Sequence, residues 1–330
     1  MKTRGLGVGF VLLALCMPRA ASAFCNAMTC DTSDATQHCQ IDPTTQCVSS
    51  GVPVFWKSSC VTFSVQEGAA PRAGIDYEAA KASLTRAFAA WTGADCGGGK
   101  PPSLRFELSD PVTCDTSEYN RDYRNANILI FREDTWPYEG GEDALGLTRV
   151  RFDPDVNVGE LWDTDIEINA VSEPLSVGKP AKNEVDLDSL ITHELGHALG
   201  LGHSIDVDAT MIAGYQKGSI GLRSLGDDDV AGVCHIYPPD RQPGSSSCEP
   251  RHGFSDLCRA DQPASDPPTD TETTTPPTSH SCSVSVGGPG SRAPGGGLGA
   301  GLALAAAMTL AWRKKSAPPL HASTSARHSV

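Results

Sequence analysis

Three histidines and a glutamate set the chemistry open to this chain: His193-Glu194-Leu195-Gly196-His197-Ala198-Leu199-Gly200-Leu201-Gly202-His203, a pattern H-E-x-x-H-x-x-G-x-x-H. On a helix, His193 and His197 project from one face toward a common point. Glu194 sits beside the first of them, placed to touch a metal-bound water without occupying the metal. Gly200 lets the backbone leave the helix in a left-handed turn that other residues resist. That turn returns His203 to the same point as a third ligand. Three protein ligands leave a fourth position open for water, the arrangement of a catalytic zinc, whereas structural sites are closed by four. An exposed helix with scattered histidines is the plain alternative. Leu190, Ile191, Leu195, Ala198 and Leu199 argue against it, because they form an apolar stripe at helical spacing through the same segment.

The elements that must position these residues are legible upstream. Residues 61–65, 104–108, 127–131, 145–152 and 165–170 read as strands, with β-branched or alternating apolar residues. A helix is expected from Asp76, its N-cap, to about Trp91, with Tyr77, Ala80, Leu84, Phe88 and Trp91 at helical spacing. Asp186 is expected to cap the histidine-bearing helix, which runs to Leu199. Asp153, Asp155, Asp163, Asp165 and Glu167 cluster between two strands. Their carboxylate oxygens suit calcium, although acidic loops are commonly just solvated.

The motif resembles that of the metzincin zinc peptidases, and three further features are similar to the matrixin branch. Ser204 follows the third histidine. Met211, in Ala-Thr-Met-Ile, has the spacing of the family's Met-turn beneath the metal. Leu225-Gly-Asp-Asp-Asp-Val-Ala-Gly-Val-Cys-His-Ile-Tyr237 is similar to the helix that closes a matrixin domain. The resemblance implies an α+β, zincin-like catalytic domain, a mixed twisted sheet with an early helix and a zinc-binding active-site helix. It implies one catalytic zinc on His193, His197 and His203, Glu194 as general base, and hydrolysis of peptide bonds in proteins or peptides. Substrate would add as a strand to the sheet edge beside the cleft, and Leu145-Gly146-Leu147-Thr148 is the segment most like that edge. The alternative is a catalytically silent surface-binding module on the same fold; Glu194, which water activation needs and zinc binding does not, favours the enzyme.

Three departures stand beside the likeness. A Pro-Arg-Cys-Gly latency motif is absent, and with it the usual pro-domain is expected to be missing. No histidine lies between His38 and His193, so the family's second zinc has no imidazole ligands. Ala213 stands where the family has a proline after the Met-turn.

The ends read differently from the middle. Lys2, Arg4, an apolar run to Met17 and Ala21-Ser22-Ala23 form a secretory signal, with a lipoprotein signal at Cys16 or Cys25 as the alternative. Export implies an oxidising compartment. Of the 12 cysteines, Cys16 belongs to the signal and Cys282 stands alone. The rest form an even set suited to disulfides, with Cys248–Cys258 and Cys96–Cys114 the first local pairs to expect. A metal cluster over Cys25 to Cys47 is the other reading. Residues 259–280 are rich in Asp, Pro and Thr, the composition of an extended stalk. Beyond them Cys282, a Gly-rich spacer, the apolar run 298–312 and Arg313-Lys314-Lys315 resemble a MYXO-CTERM sorting segment, with a tail anchor or a soluble tail as alternatives. The organisation expected is a signal peptide over 1–23, a Cys-rich segment over 24–50, a catalytic domain over 51–240, a Cys-containing extension over 241–258, a Pro/Thr-rich linker over 259–281, a sorting or anchor segment over 282–315 and a tail over 316–330. The last three are expected to place the protein and to add nothing to catalysis. A net charge of −14 over 330 residues argues against nucleic acid as partner. The expected form is a monomer, exported to the cell surface, outer envelope or medium, with protein substrates and sorting machinery or membrane as partners.

Overall fold

The computed structural model describes residues 23–286 apart from 31, 33–35, 118, 120–124, 139–143, 154–158, 172 and 249–278, with only the backbone for 279–286. The expected linker, apart from its last three residues, and everything beyond 286 lie outside the described residues, as does the signal segment up to residue 22.

Strand β1 (Cys60–Val65) leads into α1 (Tyr77–Thr92), β2 (Arg105–Leu108), β3 (Ile128–Arg132), β4 (Ala144–Phe152) and β5 (Leu161–Asn169). Two short strands, β6 (Leu175–Ser176) and β7 (Val185–Asp186), precede α2 (Leu187–Ala198). Then come β8 (Gly214–Tyr215), α3 (Asp227–Ile236) and β9 (Ser279–Val286). The main sheet has seven strands in the order β2-β1-β3-β5-β4-β9-β8. Strands β2, β1, β3 and β5 are parallel, and β4 runs antiparallel to β5. This is the α+β architecture expected of a zincin-like domain.

Local sequence explains the two helices that matter here. The Asp76 carboxylate accepts from the Ala79 amide at 2.8 Å and opens α1, and Asp186 does the same for α2 through Ser189 at 2.9 Å. Each cap satisfies an amide that the helix itself leaves without a partner. Helix α1 buries Ala80, Leu84, Ala87, Phe88 and Trp91. Helix α2 is buried on every side, which marks it as the central element of the core. Trp91 and Trp56 pin it at two points: their indole N–H groups donate to the carbonyls of Thr192 (2.8 Å) and Ala198 (2.7 Å). Among the described residues, no helix is long and apolar enough to cross a membrane.

The sequence reading placed the start of β5 at Asp165, but the strand begins at Leu161 and is buried along its whole length. Leu-Trp-Asp-Thr-Asp lacks clean alternation because both faces of β5 are covered, so a polar–apolar period cannot mark it.

The cysteines pair locally in the N-terminal segment and across the chain elsewhere. Disulfides join Cys25–Cys47, Cys30–Cys39, Cys60–Cys248 and Cys96–Cys234. The expected pairs Cys248–Cys258 and Cys96–Cys114 are therefore replaced by long-range ones. The metal cluster over Cys25 to Cys47 gives way to two bridges. Cys114 is also disulfide-bonded. Sequence proximity misleads here because the chain returns to its start: Ser245 pairs with Ser58, beside Cys60. Cys96–Cys234 closes a loop spanning 138 residues of sequence and ties the end of α1 to α3. The double variant Cys96→Ser/Cys234→Ser should lose about 3–5 kcal/mol of stability, as expected for a long loop released in the unfolded chain. Urea denaturation without reductant measures it; a loss below 1 kcal/mol would mean that packing alone docks α3.

Candidate metal centre and catalytic cleft

The three motif histidines converge. His193 and His197 lie on α2, and their ligand atoms and that of His203 all fall within 4.8 Å of one another. The route to His203 depends on Gly200, which has φ of 91°. A Cβ there would lie 2.2 Å from the Val54 carbonyl oxygen. Glycine is thus required both by the left-handed turn and by the close approach of Val54.

Backbone carbonyls set the two helical rings. The Nδ1–H of His193 donates to the Thr210 carbonyl at 2.7 Å, and that of His197 to the Leu201 carbonyl at 2.9 Å. A carbonyl only accepts, so each Nδ1 carries the proton and each Nε2 offers a lone pair. Burial, then the neighbouring imidazoles, hold His193 down to about 3 and His197 well below its usual range. Burial likewise lowers His203 to about 4. All three are neutral bases at neutral pH. The buried Nε2 of His193 has no hydrogen-bond partner in the protein, and His197 Nε2 lies 3.2 Å from His203 Nε2. Unpartnered ring nitrogens aimed at one point, in a set of three imidazoles, fit zinc.

Glu194 lies on the next position of α2 and is fully buried. The Thr148 hydroxyl donates to its Oε2 at 2.5 Å and also reaches its backbone carbonyl at 3.1 Å. A Cβ on Gly146 would lie only 2.7 Å from its Oε1. Strand β4 therefore makes room for the carboxylate at Gly146 and grips it at Thr148. The sequence marked Leu145–Thr148 as the cleft edge, but nothing in it linked Thr148 to Glu194.

Met211 is buried beneath α2, where a Cβ on Gly196 would come within 2.2 Å of its sulfur. The Met-turn is held by one carboxylate that the sequence reading did not single out. Asp229, on α3, accepts from the amides of Thr210 (2.6 Å), Met211 (3.0 Å) and Gly226 (2.8 Å). Its neighbour Asp228 accepts from the Ser204 hydroxyl at 2.7 Å and from the Phe24 amide at 2.8 Å. The N-terminal segment meets the His203 turn directly: Ala27 donates to the Gly200 carbonyl and Gly202 to that of Cys25, both at 2.8 Å.

The acidic cluster considered for calcium is built otherwise. Asp163, Asp165 and Glu167 point into the protein from β5 and are buried. Glu167 pairs with Arg132 and Arg149 and accepts from the Tyr138 hydroxyl. Asp165 accepts from Ser117 at 2.7 Å and the Ile128 amide at 3.1 Å, and burial pushes it up to about 7. Arg151 faces Asp163 and Asp165. Arginines already balance these carboxylates, and among the described residues no three of their oxygens converge on one point. The described carboxylates therefore do not support the calcium expected of this cluster. Asp155 lies outside the described residues.

Residues 55–238 match the Matrixin family, peptidase M10. Curated relatives agree: matrix metalloproteinase-16 of Homo sapiens is 32% identical over 194 residues, 57% of this chain and 28% of that protein. Metalloendoproteinase 1 of Glycine max is 27% identical over 168 residues, 48% of this chain and 45% of that protein. The chain thus spans less than half the length of these relatives.

Asp229 should be worth more than its distance from the metal suggests. Asp229→Ala strands three amides at the Met-turn, at a cost of about 2–3 kcal/mol, and loosens the acceptor that orients His193. Zinc affinity should fall about tenfold or more. Urea denaturation and competition with a chromogenic chelator read the two effects. Unchanged zinc affinity would mean that the Thr210 carbonyl holds its place without Asp229.

Proposed function

Because the chain belongs to the matrixin family, we propose that it is an exported zinc-dependent endopeptidase that hydrolyses peptide bonds in proteins or peptides. The observation carrying this reading is the convergence of His193, His197 and His203 with Glu194 held beside them by Thr148. Zinc on the three imidazoles supplies Lewis acidity toward a water and the scissile carbonyl.

The protein's own groups do the rest. The Glu194 carboxylate accepts a proton from the attacking water as its oxygen bonds to the carbonyl carbon. The C–N bond then breaks, and Glu194 passes that proton to the leaving nitrogen. Thr148 holds Oε2, which aims Oε1 and lowers the freedom the base would otherwise lose on reaction. The Thr210 and Leu201 carbonyls keep the ligand rings in one tautomer. Met211 packs beneath the ligand-bearing helix. Substrate adds as a strand along β4, where main-chain hydrogen bonds give affinity and side-chain pockets give preference. The long-range disulfides support an oxidising location, as does the signal-like N-terminus. The sorting reading of residues 282–315 and the monomeric state belong to the same proposal.

Glu194→Ala should abolish cleavage of a mixed-sequence peptide library, by about a hundredfold to ten-thousandfold, while the protein still binds about one zinc. His193→Ala, His197→Ala or His203→Ala should lose both metal and activity. Metal analysis beside a fluorogenic peptide assay separates the two. An active Glu194→Ala enzyme sinks the mechanism. A wild-type protein that holds zinc yet cuts nothing in the library supports the silent binding module instead.

A further inference from the structure

Strand β9 (Ser279–Val286) comes from the junction of the expected linker and sorting segments, yet its backbone lies in the cleft. It runs antiparallel to β4, with Arg151 opposite Ser279, Thr148 opposite Cys282, Leu147 opposite Ser283 and Gly146 opposite Val284. On its other side it pairs parallel with β8, Gly214 opposite Ser285 and Tyr215 opposite Val286. Strand β8 follows directly on the Met-turn. Gly146 and Thr148 are the two β4 residues that bound the Glu194 carboxylate. The middle of β9 therefore passes the catalytic glutamate, in the slot between β4 and β8.

A sheet edge offers one row of amides and carbonyls, and one strand uses it up. A polypeptide that adds to the outer edge of β4 needs the groups that β9 already holds. The two cannot be present together.

We propose that residues 279–286 are an internal occupant of the substrate cleft and compete with protein substrates for the edge of β4. What is competed against rests on the peptidase reading above; the occupancy does not. The preceding chain reaches far enough, since Cys248 is tied to Cys60 and residues 249–278 can span up to roughly 100 Å. An attached competitor acts at millimolar effective concentration without any gain in intrinsic affinity. The tail thus sets how strongly a substrate must bind to enter.

The test keeps the full zinc-loaded chain and removes one backbone donor. Ser283→Pro takes away an amide and fixes φ in the middle of β9, whereas Ser283→Ala keeps the donor. Hydrogen exchange of the 144–151 amides is read beside peptide kinetics. In wild type and Ser283→Ala these amides should be protected equally; in Ser283→Pro they should exchange faster. KM for a short peptide should fall about tenfold in the proline variant, as loss of a millimolar internal competitor predicts, with kcat and zinc content unchanged. The effect should not depend on enzyme concentration. Equal protection in the alanine and proline variants, an unchanged KM, or a KM that varies with enzyme concentration overturns the proposal. Altered protection in a chain that cleaves no peptide would leave the occupant in place and remove the peptidase reading.

Discussion

Two ring N–H groups meeting two backbone carbonyls are the contacts on which the site depends. His193 to Thr210 and His197 to Leu201 fix which nitrogen of each ring faces the point where the three histidines converge. Because the acceptors are main-chain atoms, the site's geometry follows the backbone path and not the side chains of Thr210 or Leu201. That path is tightly constrained. Leu201 follows Gly200, whose left-handed conformation no side chain would fit beside Val54. Thr210 is held at its own amide by Asp229. Burial then fixes the charge state, since a ring this deep favours the neutral form. Orientation and protonation thus follow from one arrangement, which leaves the ring nitrogens aimed at a point that a metal ion would fit.

How much of this could be read beforehand follows the distance between partners in sequence. The helix caps Asp76 and Asp186, the stripe through α1, the i,i+4 histidines and the turn at Gly200 are local, and each was legible because its cause lies within one turn of chain. Met211 was legible through its spacing alone. The Thr148–Glu194 bond joins residues 46 apart and Asp229 reaches back across 19. No periodicity encodes such pairs, since a Thr in a strand and an Asp in a helix are unremarkable in isolation. The acidic cluster failed for a related reason. Its composition suits a cation, but the arginines that balance it sit on β3 and β4; only the sheet register brings Arg149 opposite Asp165 and Arg151 opposite Asp163, and puts Arg132 and Arg149 within reach of Glu167.

The cysteines extend the same point to stability. Local pairs are the natural first expectation, yet the bridges to Cys234 and Cys248 join the end of the domain to its beginning. Helix α3 carries Asp228 and Asp229, which brace the Ser204 side of the histidine turn and the Met-turn. A fold in which helix α3 secures the turns around the motif histidines gains from covalent closure there, because fraying at that end would reach the site before it reached the core. The N-terminal segment works on the opposite flank. Its amides and carbonyls pair with Gly200 and Gly202, and two disulfides stiffen it.

Strand β4 joins the stability of the fold to its use. Its inner edge is paired with β5, and at Gly146 and Thr148 it shapes the pocket of Glu194. Its outer edge would be a row of open hydrogen-bonding groups, which sheets cover or blunt to avoid uncontrolled pairing. A peptidase that binds substrate by strand addition cannot blunt that edge without losing its purpose. Under the competition proposed for β9, a strand from the same chain would meet both demands. The edge would be closed to partners that pair weakly and open to those that pair well.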